Sequence, residues 1–167
     1  MKKILKNEKE LYYKKNWKKW KLKSIFQSLF QKIQPSSNKL TIVIPIFNAA
    51  EEVEKCMASI FENTESCINI ILVNDASTDH KINELLDRYD KLSTISIINN
   101  PTNLGYTKSI NIAIKSCETD IIILNSDTEV TPYWTENITR CAYSSKSVGT
   151  VTPFSNNAGV FSAPQMN

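Results

Sequence analysis

The feature that most constrains the fold is a regular alternation of short β-branched runs with segments of helical periodicity, which begins at Leu40. Such short apolar runs are typical of strands that are buried on both faces of a sheet. The runs lie at 40–45, 68–73, 94–98, within 120–130, and at 148–151. Their alternation with helices predicts an α/β domain with a mostly parallel, doubly wound sheet and right-handed crossovers.

Proline and capping residues predict where several of these elements begin and end. Pro45 is expected to end the first strand, because proline cannot donate to a sheet ladder. Thr78 or Asp79 is the expected N-cap of the second helix, and Pro132 the expected first-turn residue of the fourth. The four helices are predicted at 51–61, 82–89, 109–116 and 132–144.

Charge divides the chain into two parts. Residues 1–39 hold 12 Lys and two Glu, whereas residues 40–167 hold eight Lys or Arg and 15 Asp or Glu, giving +10 and −7. We therefore predict a basic amphipathic helical arm and linker at 1–39, followed by an acidic domain at 40–167. Lysines beside Trp, Phe and Leu predict peripheral contact of residues 1–34 with an anionic membrane surface. The alternative is packing against the domain or a partner.

Cysteine usage and apolar run length indicate the compartment. The four cysteines include no CxxC pair and His80 is the only histidine, which argues against a Cys/His zinc site. Scattered thiols are typical of a reducing compartment, so we expect a cytoplasmic protein, with the arm at the inner face of the membrane. No run approaches the roughly 20 apolar residues of a membrane-spanning helix. No nucleic-acid recognition motif is present, and no nucleic-acid partner is expected.

Polar loops follow the first, second and fourth predicted strands. The carboxyl ends of parallel strands share one edge, where open α/β sheets bind ligands. Neither a GxGxxG nor a GxxxxGK[ST] motif is present, so a bound phosphate would need side chains or a metal ion. Asp127 and Glu129 are the carboxylates available to a hard divalent cation shared with a diphosphate. Asp75 suits hydrogen bonds from a base or ribose. The alternative for each is an ordinary turn residue.

Four motifs, in order along the chain, resemble signatures of the inverting family 2 glycosyltransferases. They are Thr41–Asn48, Val73–Asp79, Asn103–Tyr106 with Asn111, and Leu124–Glu129 at the position of the family's Asp-x-Asp motif. The resemblance covers about Leu40 to Asn157 and implies a GT-A, nucleotide-diphospho-sugar transferase-like fold. It also implies transfer of sugar from a UDP- or dTDP-sugar to a glycan or lipid-linked acceptor, as in cell-envelope polysaccharide biosynthesis.

The same resemblance implies roles for individual residues. Asp75 would contact the base, and Asp127 would bind Mg²⁺ or Mn²⁺ bridging the donor diphosphate. Glu129 is then a structural residue. The implied nucleotide-sugar-binding set is Pro45, Phe47, Asn48, Asp75, Asn103, Gly105, Asn125, Ser126 and Asp127.

Two departures from the family pattern bear on catalysis. Asn125 replaces the first Asp of the metal motif, which removes a charge but keeps hydrogen-bonding capacity. Inverting transfer needs a carboxylate base, which the family carries well after the metal motif, yet 137–167 contains no Asp or Glu. We therefore expect a donor-binding part that is truncated on its acceptor side. The alternative is a non-catalytic nucleotide-sugar-binding or scaffold remnant. A flavodoxin-like signalling domain is a weaker match, because no suitably placed lysine follows a late strand.

Overall fold

The computed structural model describes residues 40–65 and 67–155. The predicted arm at 1–39 and the end of the chain from 156 lie outside the described residues. The described strands are β1 (Leu40–Ile46), β2 (Asn69–Asn74), β3 (Ile95–Asn99) and β4 (Asp120–Ile123). The described helices are α1 (Ala50–Asn63), α2 (His80–Tyr89), α3 (Tyr106–Lys115) and α4 (Trp134–Ala142).

The four described strands form one parallel sheet in the order β3-β2-β1-β4. From β1 the chain moves outward through β2 to β3, and then returns to place β4 on the other side of β1. A reversal of strand order of this kind opens a crevice at the carboxyl ends of the strands on either side of it. The crevice between β1 and β4 is therefore the expected ligand position.

Apolar residues are buried on both faces of the sheet. On one face, Ile42 and Ile44 of β1 belong to a core that also contains Val53 and Met57 of α1. On the other face, Val43 and Val73 pack with Ala113 of α3. Burying one such aliphatic side chain contributes roughly 1.5–3 kcal/mol. Helices therefore cover both faces, and the predicted doubly wound parallel sheet is confirmed.

β1 continues through Pro45 to Ile46, so the prediction that Pro45 ends the strand is wrong. The backbone groups of alternate residues in a parallel strand point to opposite neighbours. The Val43 carbonyl accepts from the Leu124 N–H on the β4 side at 3.0 Å, whereas the Ile46 carbonyl accepts from the Asp75 N–H on the β2 side at 2.8 Å. Pro45 therefore faces the β4 side, beyond the end of β4. Its missing N–H breaks no ladder bond.

Three further expectations differ from the structure. No strand forms at 148–151, where the Val148 N–H instead donates to the Ser145 carbonyl in a turn. β4 pairs with β1 alone among the described strands, and Ile123 is 47% exposed, so β4 is an edge strand and not a fully buried one. Pro132 lies before α4, because Tyr133 adopts a left-handed φ of 65° and the helix begins at Trp134.

The N-cap prediction for α2 is confirmed at Asp79, whose carboxylate accepts from the Lys81 N–H at 3.0 Å. Within the part of the chain that the structure describes, every helix is too short or too polar to cross a bilayer.

Candidate functional site

Four loops meet at the carboxyl edge of the sheet, one after each strand. We call them the first loop (47–49), the second loop (75–79), the third loop (100–105) and the fourth loop (124–133). None of the four contains Lys or Arg. The loops themselves would therefore offer an anionic ligand backbone N–H groups, amides and hydroxyls, but no cationic side chain.

Asn48 joins the first loop to the second. Its side-chain Oδ1 accepts from the backbone N–H groups of Thr78 at 2.8 Å and Asp79 at 2.9 Å. Its own N–H donates to the Ser77 Oγ at 2.9 Å. Asn48 adopts a left-handed φ of 57°, a conformation that asparagine tolerates better than most residues. The predicted nucleotide-pocket residue Asn48 thus fixes the shape of the second loop.

Asp75 joins the second loop to the third. Its Oδ1 accepts from the Asn100 Nδ2 and the Leu104 N–H, both at 2.8 Å, and its Oδ2 accepts from the Gly105 N–H at 2.8 Å. Gly105 has a φ of 81°, which side-chain-bearing residues rarely adopt. Asp75 is only 4% exposed, so its carboxylate is a buried brace for the third loop.

The ionisation of Asp75 follows from the same contacts. Burial alone would raise its pKa, but hydrogen bonds from Leu104, Asn100, Ser109 and Gly105 outweigh that effect and lower the pKa. Asn100 also donates to the Ser109 Oγ at 2.9 Å, and Ser109 is fully buried. The network therefore holds a carboxylate that is charged at neutral pH.

The fourth loop presents the predicted metal motif. The Thr128 N–H donates to the Asn125 carbonyl at 3.1 Å and closes a turn that places Asp127 at an exposed position. The Tyr106 hydroxyl, at the start of α3, donates to the Asn125 Oδ1 at 2.9 Å. The amide at 125 is therefore tied to α3, and Asp127 is an exposed carboxylate of the loop, as is Glu129.

Three side chains of α1 support the fourth loop. The Val130 N–H donates to the Ser59 Oγ at 3.0 Å, and the Asn63 Nδ2 donates to the Val130 carbonyl at 3.3 Å. The Cys56 thiol donates to the Asn125 carbonyl at 3.7 Å. Burial, together with the negative charges of Asp127 and Glu129, raises the pKa of Cys56 to about 11, against the lowering effect of the Thr128 backbone hydrogen bond. The thiol is therefore neutral and able to donate.

All nine predicted site residues lie at this edge, in the four loops or at the end of β1. Phe47 and Asn103 are exposed, whereas Pro45 and Asp75 are buried. Sequence reasoning included Tyr106 in the third motif without assigning it a role, and it missed Ser59 and Asn63. A signal for the last two existed, because Cys56, Ser59 and Asn63 recur at helical spacing beside the buried apolar face of α1.

The donor set at Asp127 suits a shared cation. Across the described residues, no three His, Cys, Asp or Glu side chains are grouped so that they could hold a metal ion by themselves. Mg²⁺ is usually bound through one or two carboxylates, with water and substrate phosphates as its other ligands. A single exposed carboxylate at 127 fits a cation of that kind, held jointly with a diphosphate.

An open parallel α/β sheet with its loops gathered at a topological switch point is an architecture that binds ligands at that edge. A family model described as Glycosyl transferase family 2 matches residues 41–163, which include all four loops. The chain therefore belongs to glycosyl transferase family 2.

Curated relatives are similar over the same region. A teichoic acid poly(glycerol phosphate) polymerase of Staphylococcus epidermidis is 36% identical over 100 residues, which are 58% of this chain and 14% of the polymerase. The glycosyltransferase YibD of Escherichia coli is 26% identical over 106 residues, which are 62% of this chain and 30% of YibD. The chain thus spans less than a third of the length of these relatives.

Solved structures confirm the GT-A-type fold. GalNAc-T7 with UDP, GalNAc and Mn²⁺ has a TM-score of 0.56 and 20% identity, over 61% of this chain and 20% of that chain. Residues 1–349 of S. aureus TarS have a TM-score of 0.55 and 18% identity, over 63% of this chain and 33% of that chain. TarS in complex with UDP-GlcNAc has the same TM-score. At these identities the likeness concerns the fold.

Proposed function

We propose that the chain is the donor-binding part of a metal-dependent glycosyltransferase. It would transfer a sugar, with inversion, from a UDP- or dTDP-sugar to a glycan or lipid-linked acceptor. The observation that carries the proposal is that the family 2 match coincides with the four loops at one edge of the sheet. The neighbours named with UDP, UDP-GlcNAc and Mn²⁺ support a nucleotide-sugar donor and a divalent cation. The teichoic acid polymerase supports a role in cell-envelope polymers.

The nucleoside would lie on the first three loops. Phe47 is 50% exposed and offers an aromatic face against which a base can pack. Asp75 is held by hydrogen bonds from the third loop and from Ser109, so a base N–H would share an oxygen of the carboxylate with these donors. Asp75 would then hold the third loop and contact the base through the same carboxylate.

The diphosphate would lie at the fourth loop. Since the four loops carry no Lys or Arg, a divalent cation on Asp127 would neutralise the charge that develops on the leaving nucleoside diphosphate. Tyr106 holds the Asn125 Oδ1, so the amide N–H₂ is the group that Asn125 would offer to a ligand oxygen. Ser126 adds a hydroxyl beside it.

Isothermal titration with UDP and Mn²⁺ tests the donor site. The unsubstituted protein should bind UDP with Mn²⁺, and Asp127→Asn should weaken that binding at least about tenfold, because even indirect partners of metal ligands contribute about 10–100-fold. Glu118→Gln, at an exposed position before β4 and at the opposite edge of the sheet, is the matched control. Mn²⁺-dependent binding that Asp127→Asn leaves unaltered would count against the proposal.

A non-catalytic nucleotide-sugar-binding protein is the second candidate. The observation that bears on it is that Asn125 replaces the first Asp of the metal motif, which removes a charge at that position. Both candidates predict nucleotide binding, but only a transferase releases UDP from a UDP-sugar when an acceptor is added. Release assays with a panel of UDP-sugars and glycan or lipid-linked acceptors separate the two.

A further inference from the structure

We propose that Ser59 and Asn63 of α1 are positioning residues, which fix the fourth loop so that Asp127 is placed for metal-dependent donor binding. With Cys56 they form a set that we call the α1 clamp. The inference rests on the proposed function, because it assigns to the clamp the placement of the carboxylate that would share a cation with the diphosphate.

The clamp captures both backbone groups of Val130. The Val130 N–H donates to the Ser59 Oγ at 3.0 Å, and its carbonyl accepts from the Asn63 Nδ2 at 3.3 Å. A neighbouring strand would normally make such a pair of bonds, but here side chains of a helix make them. Val130 is therefore fixed to α1 in position and in orientation.

The helix itself orients the clamp side chains. The Ser59 hydroxyl donates its proton to the Cys56 carbonyl at 2.7 Å, so its lone pairs are directed to the Val130 N–H. The Asn63 Nδ2 donates a second hydrogen bond to the Ser59 carbonyl at 2.9 Å. Groups whose rotamers are already fixed lose less entropy when they hold another segment.

The clamp also reaches the other end of the turn. The Cys56 thiol lies 3.7 Å from the Asn125 carbonyl, which also closes the turn by accepting from Thr128. Asp127 lies between the two attachment points at Asn125 and Val130. Because both ends are attached to one helix, the position of the Asp127 backbone follows that helix.

The helix that carries the clamp is itself firmly held in the core. Val53 and Met57 are fully buried, and Cys56 and Ile60 are 1% exposed. Across the described residues, no group of three metal-ligating side chains includes Asp127, so a cation there would depend strongly on the position of this carboxylate. Loss of the clamp should therefore affect the metal-dependent part of donor binding selectively.

Titration of UDP into the protein, with Mn²⁺ and separately with EDTA, tests this. Ser59→Ala and Asn63→Ala should each weaken UDP binding in Mn²⁺ about fivefold, the loss expected for one hydrogen bond, and leave the affinity in EDTA unchanged. Ser59→Thr keeps the hydroxyl and should restore most of the affinity. Ser116→Ala is the matched control, because Ser116 makes the same hydroxyl-to-carbonyl bond, to Ala113 at 2.7 Å, on a different helix.

Hydrogen exchange supplies a readout that does not depend on the ligand. The Val130 amide should exchange faster in Ser59→Ala than in the unsubstituted protein, whereas amides of β1 should not change. Equal losses of UDP affinity in Mn²⁺ and in EDTA, or no loss in either, would overturn the positioning role and leave the proposed function standing. If the unsubstituted protein shows no Mn²⁺-dependent binding, the proposed function fails, and the inference fails with it.

Discussion

The Asp75 carboxylate accepts hydrogen bonds from Asn100, Leu104 and Gly105, which lie 25 to 30 positions further along the chain. A turn after β2 is therefore held by groups of the third loop, and the third loop is held by the carboxylate at 75. Bracing a loop and binding a base are compatible tasks, because the brace fixes the carboxylate in one orientation. The residue would then be preorganised for a ligand.

Asp75→Asn should lower the free energy of unfolding by about 2 kcal/mol at neutral pH, because hydrogen bonds to a charged acceptor contribute about 1.5–3 kcal/mol. The pKa of Asp75 is lower in the folded protein than its ordinary value of 3.8. The stabilisation that the Asp75 carboxylate gives the folded protein is therefore complete above the ordinary pKa. It is lost as pH falls through the lower pKa of the folded state. Urea unfolding followed by circular dichroism, from about pH 7 to about pH 2, measures this.

The difference in unfolding free energy between the two proteins should accordingly shrink on acidification. Asp87→Asn is the control, because Asp87 is exposed on α2. A difference between wild type and Asp75→Asn that stays constant through the acid range would show that the charge of Asp75 is not what stabilises the third loop.

At the scale of elements, the sequence predicts most strands of the sheet. It does not predict the features that depend on which segments lie beside one another in the fold. Four of the five predicted strands form, since β-branched runs and helical periodicity are local signals. The error at Pro45 arose because a missing N–H matters only where a neighbouring strand would accept it, and β4 ends before that point. The run at 148–151 has the composition of a strand but forms none.

Removing the proline at 45 and introducing one at 44 tests whether the effect of a proline in β1 depends on which neighbouring strand its missing N–H would face. Pro45→Ala should leave the sheet intact and cost only about 0.4–1 kcal/mol, through the greater freedom of the unfolded chain. Ile44→Pro should prevent folding or destabilise severely, because Ile44 faces β2, as Ile46 does, and would lose a ladder bond. Thermal unfolding and far-ultraviolet circular dichroism distinguish the two.

Ile44→Val controls for the lost volume in this comparison and should cost about 0.5–1.5 kcal/mol. If Pro45→Ala destabilises as strongly as Ile44→Pro, then the proline ring at 45 has a packing role that the hydrogen-bond pattern does not describe.

The hydrogen bonds by which α1 holds the fourth loop could not be predicted from the sequence. The four loops follow the strands, so their common edge follows from a parallel sheet alone. The bonds from Ser59 and Asn63 to Val130 span 71 and 67 positions, and no local pattern specifies such partners. Polar residues next to the apolar face of α1 indicated that this face would contact polar groups. They did not indicate that these groups would be the backbone of the fourth loop.

At the scale of the whole molecule, the family match and the charge division describe different parts of the chain. The match begins at residue 41, and the segment before it carries the excess of lysine. The basic segment is therefore not part of what the family match describes. We propose that residues 1–34 bring the domain to an anionic membrane surface, where lipid-linked acceptors would be found.

Removal of residues 1–34 should abolish binding to vesicles containing phosphatidylglycerol. Each lysine near such a surface contributes about 1 kcal/mol, and the attraction should weaken at high salt as the screening length falls from about 10 Å at about 0.1 M to about 3 Å at about 1 M. Vesicle co-sedimentation measures binding, and neutral phosphatidylcholine vesicles are the control. Replacing Lys14, Lys15, Lys18 and Lys19 by Gln keeps the aromatic residues and isolates the charge. Equal binding by the full chain and the deletion would exclude a membrane role, and a lower melting temperature of the deletion would then favour packing on the domain.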